Sequence, residues 1–223
     1  MSMKYIVRVW DAPTRLFHWA LAVCVVAAVI TAQIGGGAMD WHFRLGYITL
    51  TLLLFRLVWG LVGGHWSRFS SFLFRPGQIW AHIRGKSDPQ AEVGHNPLGA
   101  LSVFALLGFL ALQLTSGLFS DDEISATGPL VAFASSNWVA KATYYHTEIG
   151  KLILIALVTL HVLAIALYFV RKGENLVKPM ITGNKTVDTN VTGSDDRAQN
   201  RGKAAVILTA CAALVWLFTR WLA

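Results

Sequence analysis

Of the seven histidines in this 223-residue sequence, four stand where a polar ring is costly. His18, His42, His146 and His161 lie within or at the ends of long apolar runs, whereas His65, His82 and His95 fall in or beside a polar stretch where water satisfies them. His146 and His161 are 15 residues apart in one run. At 100° per residue this leaves a net rotation of about 60°, so both rings point to broadly the same side of a helix, separated along it by about 22 Å. One helix thus offers ligands at two depths. His42 opens another run level with His146, and His18, near the start of the first run, pairs with His161. Two cross-helix pairs are what two stacked bis-histidine b-type haems require, since each iron takes one axial nitrogen from either face. Three other chemistries remain as alternatives. Zinc gathers three or four ligands at one depth, with spacings this sequence lacks. A proton relay needs intramembrane carboxylates, for which Glu148 is the sole candidate, and plain structural histidines would bond to backbone carbonyls.

The neighbours of these histidines fit a flat macrocycle between helices. Gly46 follows His42 by four and Gly150 follows His146 by four, each leaving a side-chain-free surface one turn along the ligand's face; Ala22 does the same for His18. Close packing of membrane helices through small residues accounts for them equally well. Arg56 lies 14 residues beyond His42, on the ligand-bearing face, where its guanidinium can pair with a haem propionate or snorkel to the interface. Arg15 and Arg44, nearer water, are further propionate candidates, and His95 in GHNPLG is a candidate contact for a propionate or a quinone.

Positioning these residues falls to five apolar stretches, approximately 14–34, 42–63, 98–118, 144–170 and 203–222, each long enough to cross about 30 Å of hydrocarbon. Charged residues make up 14% of the chain and hydrophobic ones 55%, which excludes a large soluble enzyme. The first stretch is too long for a signal-peptide core and lacks a small-residue cleavage site, so it reads as a retained helix. The net charge of +7 does not indicate nucleic acid, because the basic residues fall beside apolar segments with no aromatic-interleaved stripe. Fourteen of the 19 Lys and Arg lie before or at the start of the first stretch, between the second and third, or between the fourth and the start of the fifth, while Asp40 and the run Asp121–Glu123 lie in the opposite loops. The positive-inside rule then puts the N-terminus in the cytoplasm and the C-terminus outside. Cys24 and Cys211 sit in apolar runs with no C-x-x-C-H for covalent haem attachment. Residues 183–202 hold almost no large apolar side chains and read as a flexible polar linker. The expected organisation is all-α: a four-helix haem-binding membrane bundle over 1–182, the linker over 183–202 and an additional C-terminal transmembrane helix over 203–223.

Several segments carry a resemblance to a known family. VWDAPTRLFHW (9–19), HFRLGY (42–47), FRLVWGLVG (55–63), RFSSFLFRP (68–76), GHNPLG (94–99) and GENLVKPMITGNK (173–185) resemble bacterial dihaem cytochrome b proteins of the prokaryotic cytochrome b561 type. That family includes the cytochrome b subunits of nickel-iron hydrogenases. The resemblance covers about residues 5–185 and implies four helices with non-covalent haem ligands at His18, His42, His146 and His161. Many relatives space the last two histidines by 14 residues with Glu directly after the first, whereas this chain has 15 and reads His146-Thr147-Glu148. The fifth helix lies beyond the family's core and carries no histidine, so packing or anchoring is its expected role.

Two axially saturated irons leave no open coordination position, so the expected function is electron transfer within a multi-pass bacterial inner-membrane protein. The resemblance implies quinone or quinol on one side and a periplasmic c-type cytochrome or a hydrogenase on the other, within the lipid bilayer, with self-association left open. Direct reduction or oxidation of superoxide or ferric ion at the outer haem is one alternative; a non-haem membrane anchor or transporter is another.

Overall fold

The computed structural model describes residues 3–86, 93–124 and 126–222. Strand β1 (Tyr5–Arg8) leads into helix α1 (Ala12–Ile34), and α2 spans Met39–Val62. A short helix α3 (Pro76–Ile83) precedes α4 (Pro97–Leu118). Helix α5 (Ser136–Tyr144) runs through a π-helical turn, Tyr145–Gly150, into α6 (Lys151–Lys172). Then come α7 (Val177–Thr182), strand β2 (Asn184–Val187) and α8 (Ala198–Leu222). Among the described residues five helical stretches are long and apolar enough to cross a membrane: Ala12–Ile34, Gly36–Val62, Pro97–Leu118, Ser136–Lys172 and Ala198–Leu222. They coincide with the five apolar runs of the sequence, and the chain is a multi-pass membrane protein whose lipid-facing side chains stay exposed.

Local chemistry sets the helix ends. Asp11 caps α1, its Oδ1 accepting the Thr14 N–H at 2.8 Å, and Pro13 occupies the first turn, where a missing N–H costs nothing. Gly35, at φ 66°, ends that helix in the left-handed region open to glycine. Asn96 caps α4 by accepting the Gly99 N–H at 2.7 Å.

The chain divides into two compact units. One comprises Met1–His18, Arg56–Phe104 and Leu160–Ile207; the other Trp19–Phe55, Ala105–Thr159 and Leu208–Ala223. In the first, Val7, Val9, Trp10, Trp66 and Val93 form an apolar cluster beside the two-stranded antiparallel sheet, in which Tyr5 pairs with Val187 and Arg8 with Asn184. In the second, Leu53, Leu110 and Leu154 pack together with Leu21, Val25 and Leu107 around them.

Residues 183–202 correct the expected flexible linker. β2 pairs with β1, and Ser194 is buried, its hydroxyl donating to the Val9 carbonyl at 2.7 Å and accepting the Trp66 N–H at 3.2 Å. Asp196 accepts the Ala12 N–H at 2.9 Å and forms ion pairs with Arg8, Arg15 and Arg201. Burial works to raise the Asp196 carboxyl, but the hydrogen bonds from Arg201 and Ala12 and the charges of Arg201 and Arg8 outweigh it and hold the group below its ordinary range. Composition failed as a guide because the strap is ordered by backbone pairing and charge, not by apolar burial.

Candidate haem sites

The structure brings the four histidines together as two pairs. His42 and His146 stand with ring centres 6.0 Å apart and planes at 80°. His18 and His161 stand 6.4 Å apart with planes at 52°. Two imidazoles sharing one iron have ring centres about 6.4 Å apart, twice the sum of a metal–nitrogen bond of about 2.0 Å and a ring radius of about 1.2 Å. Both pairs fit that measure. Among the described residues no three His, Cys, Asp or Glu side chains gather as a zinc site would need.

His42 and His146 belong to the same unit, and each is oriented by a neighbouring helix. His42 Nδ1 lies 2.9 Å from the Ala28 carbonyl of α1, and His146 Nδ1 lies 2.9 Å from the Gln113 carbonyl of α4. A carbonyl oxygen only accepts, so both rings carry their proton on Nδ1 and present Nε2 as the lone-pair nitrogen. Gly46 is open: a Cβ there would meet nothing within 4 Å, leaving bare backbone one turn from His42. Gly150 differs from its expected role. A Cβ there would collide with the Gln113 carboxamide oxygen and with Tyr145 Cε1 at 2.7 Å, so this glycine admits a side chain of its own protein. Gly117, which the sequence reading passed over, makes room for the His146 ring, since a Cβ there would sit 2.7 Å from His146 Cε1. Arg44 is exposed and lies over the Trp41 ring at 5.1 Å.

The 15-residue spacing also finds its reason here. His146 stands inside the π-turn, which takes one residue more per turn than an α-helix, so the extra residue is absorbed locally rather than swinging the ring by about 100°.

His18 and His161 share the other unit with a buried polar network. Asp11 is fully buried; besides capping α1 it accepts the Ser67 hydroxyl at 2.8 Å, the Gly64 N–H at 3.2 Å and the Trp59 indole N–H at 3.4 Å. Arg56 is 3% exposed, so it does not snorkel. Its Nη1 donates to the Ser67 carbonyl at 3.1 Å, its guanidinium lies 4.6 Å over the Phe69 ring, and Asp11 is its electrostatic counter-charge. Arg15 donates to the Ile181 carbonyl of α7 at 2.6 Å and pairs with Asp196 of the strap at 3.7 Å, and Ala22 is exposed.

His95 lies between Trp10 and Phe72, with ring centres 4.7 and 4.4 Å away. Its Nδ1 is buried without a hydrogen-bond partner among the described residues. Burial, reinforced by the charge of Arg56, pushes its pKa down to about 3, so the ring is neutral.

Beyond Gly117, the sequence reading missed Gln113 and Asp11. A glutamine in the middle of an otherwise apolar helix was the available signal for the first, since such a side chain is expensive in lipid. Asp11 lies inside the segment VWDAPTRLFHW, but only the fold shows that it is buried.

A model of the prokaryotic cytochrome b561 family matches residues 9–183. The chain is similar to the probable Ni/Fe-hydrogenase B-type cytochrome subunit of Azotobacter chroococcum, 28% identical over 215 residues covering 79% of this chain and 87% of the relative. It is likewise similar to the protein of that description in Bradyrhizobium diazoefficiens, 24% identical over 80% of this chain and 85% of the relative. The probable Ni/Fe-hydrogenase 1 B-type cytochrome subunit of Escherichia coli K12 is 26% identical over 61% of this chain and 68% of the relative. No solved structure matches the chain.

Proposed function

The chain belongs to the prokaryotic cytochrome b561 family, and from that premise we propose that it is a membrane electron carrier holding two haems b. It links the quinone pool to a redox protein at the periplasmic face, and a hydrogenase is the partner class that the names of its relatives favour. The observation that carries this reading is the pair of ring separations, 6.0 and 6.4 Å, each matching two imidazoles on one iron. His42 with His146 would hold the outer haem, and His18 with His161 the inner one. Haem iron supplies reversible one-electron chemistry at a potential set by its surroundings.

The chain's own residues do the rest. Ala28 and Gln113 carbonyls hold the two outer imidazoles in the tautomer that offers Nε2. Gly46 leaves room for a flat group beside His42. Arg56 keeps a positive charge inside the inner unit, where it would stabilise an anionic propionate. His95, neutral and with a buried nitrogen available, is the proposed contact for that propionate or for a quinone head. Lys and Arg asymmetry supports a cytoplasmic N-terminus and a periplasmic C-terminus.

The test is a dithionite-reduced minus oxidised spectrum of the purified protein with haem quantitation. Two haems b per chain are expected; absence of a b-type alpha band would overturn the reading. Co-purification with a hydrogenase expressed from the same cells tests the partner.

A further inference from the structure

We infer that Gln113 is the positioning residue of His146, and that it works by tying down the backbone of the π-turn in which that histidine stands. The inference rests on the haem reading above for what His146 does, but its argument is geometric.

A π-turn in a membrane helix is an irregularity that must be satisfied from outside the helix, because lipid offers no hydrogen bonds. Here α4 provides that satisfaction with one residue used twice. Gln113 Nε2 donates to the His146 carbonyl at 2.9 Å, while His146 Nδ1 donates to the Gln113 carbonyl at 2.9 Å. The ligand's main chain and its ring are thereby clamped to the same point of the neighbouring helix.

Two further features mark the carboxamide as placed for its donor. Its oxygen is buried with no hydrogen-bond partner among the described residues, a cost that a generic polar filler would not carry. The space it occupies also exists only because residue 150 is glycine, since a Cβ there would collide with that oxygen. With Ser116 Oγ 3.4 Å from His146 Nδ1 and Gly117 clearing room for Cε1, the ring has one seat.

The π-turn makes a demanding forecast. In a regular helix, deleting one residue swings the preceding residues by about 100° and would destroy a ligand's aim. In a π-turn the deletion returns the segment to α-helix and leaves the aim intact. Thr147 is the residue to delete, being exposed, with its hydroxyl donating to the Thr143 carbonyl of its own helix.

The experiment compares the full chain with Gln113→Leu, with the Thr147 deletion and with both together. Haem per chain, the low-field EPR signals of the oxidised protein and redox titration are the readouts. Gln113→Leu is expected to shift or split the signal of the His42–His146 centre and to at least halve its occupancy, with the other centre unchanged. The Thr147 deletion is expected to keep both centres, and in that background Gln113→Leu loses most of its effect, a rescue that a merely structural glutamine would not show. If Gln113→Leu does not accumulate, Gln113→Met keeps the length of the side chain, has no donor for the His146 carbonyl, and carries the same expectation. An unchanged signal in Gln113→Leu overturns the role of Gln113, and selective loss of the His42–His146 centre on deleting Thr147 overturns the role of the π-turn. Absence of haem from the unaltered chain is a separate result that strikes the haem reading itself.

Discussion

Around His42 and His146 the protein works with backbone: carbonyls of Ala28 and Gln113 take the ring protons, Gly46 and Gly117 clear space, and among the described residues no charged side chain is bonded to either ring. The unit of His18 and His161 works with charge instead. Asp11 and Arg56 are buried there as an electrostatic pair, and a neutral His95 is wedged between aromatic rings. The difference follows from what each unit contains. The first is mostly helix, and in lipid only main-chain groups come without a desolvation penalty for a free charge. The second includes the sheet, the loop after α2 and the strap, whose N–H and hydroxyl groups can solvate a buried carboxylate. Orientation by backbone is rigid but electrically quiet, whereas buried charges also set the potential of whatever sits beside them.

The largest expected effect is selective loss. His42→Ala should remove one of two haems and leave the spectrum of the other intact, and His18→Ala should do the reverse. Haem quantitation with difference spectra decides it, and either variant leaving both centres unchanged breaks the division into two pairs.

Next comes Asp11→Ala, which leaves Arg56 buried without its counter-charge and strips partners from Thr14, Gly64, Ser67 and Trp59. A loss of about 3–5 kcal/mol in stability is expected. Thermal unfolding in detergent measures it, and a loss under about 1 kcal/mol would mean the network is not what solvates Arg56.

Arg56→Gln should lower the reduction potential of the His18–His161 centre, on the order of 1–2 kcal/mol at an effective dielectric constant of about 20. Lys should restore part of it, as a charge without the planar fork. Redox titration showing both centres unmoved in the folded variant would remove Arg56 from the inner site.

Asp196→Asn should loosen the strap by about 1–2 kcal/mol, seen as faster limited proteolysis between β2 and α8. The lowered carboxyl pKa gives the pH sign: the stabilisation is present above the ordinary carboxylate range and is lost as pH falls through the folded value. Proteolysis independent of pH through that range would argue against it.

The smallest difference is spectroscopic. Ring planes at 80° and 52° give different orbital splittings in a low-spin ferric haem, so the His42–His146 centre should show the larger low-field g value. Identical signals from the two centres, assigned with the histidine variants, would contradict the ring geometry.

The five spans, the partnering of the histidines and the family resemblance were all readable from the chain as written, because each depends on a local rule: run length against membrane thickness, helical phase, or the cost of a polar ring in lipid. Phase arithmetic stopped at the π-turn, since nothing in YHTEIG announces that one residue will be taken up in a wider turn; the partner that stabilises it, Gln113, is 33 residues away. Composition likewise misread 183–202, whose order comes from pairing with residues near the opposite end of the sequence. Arg56 illustrates the boundary between the two kinds of knowledge. Its helical phase aimed it inward from the sequence alone, but whether it stayed there depended on a carboxylate 45 positions earlier being buried with it, and only tertiary structure brings that counter-charge into place.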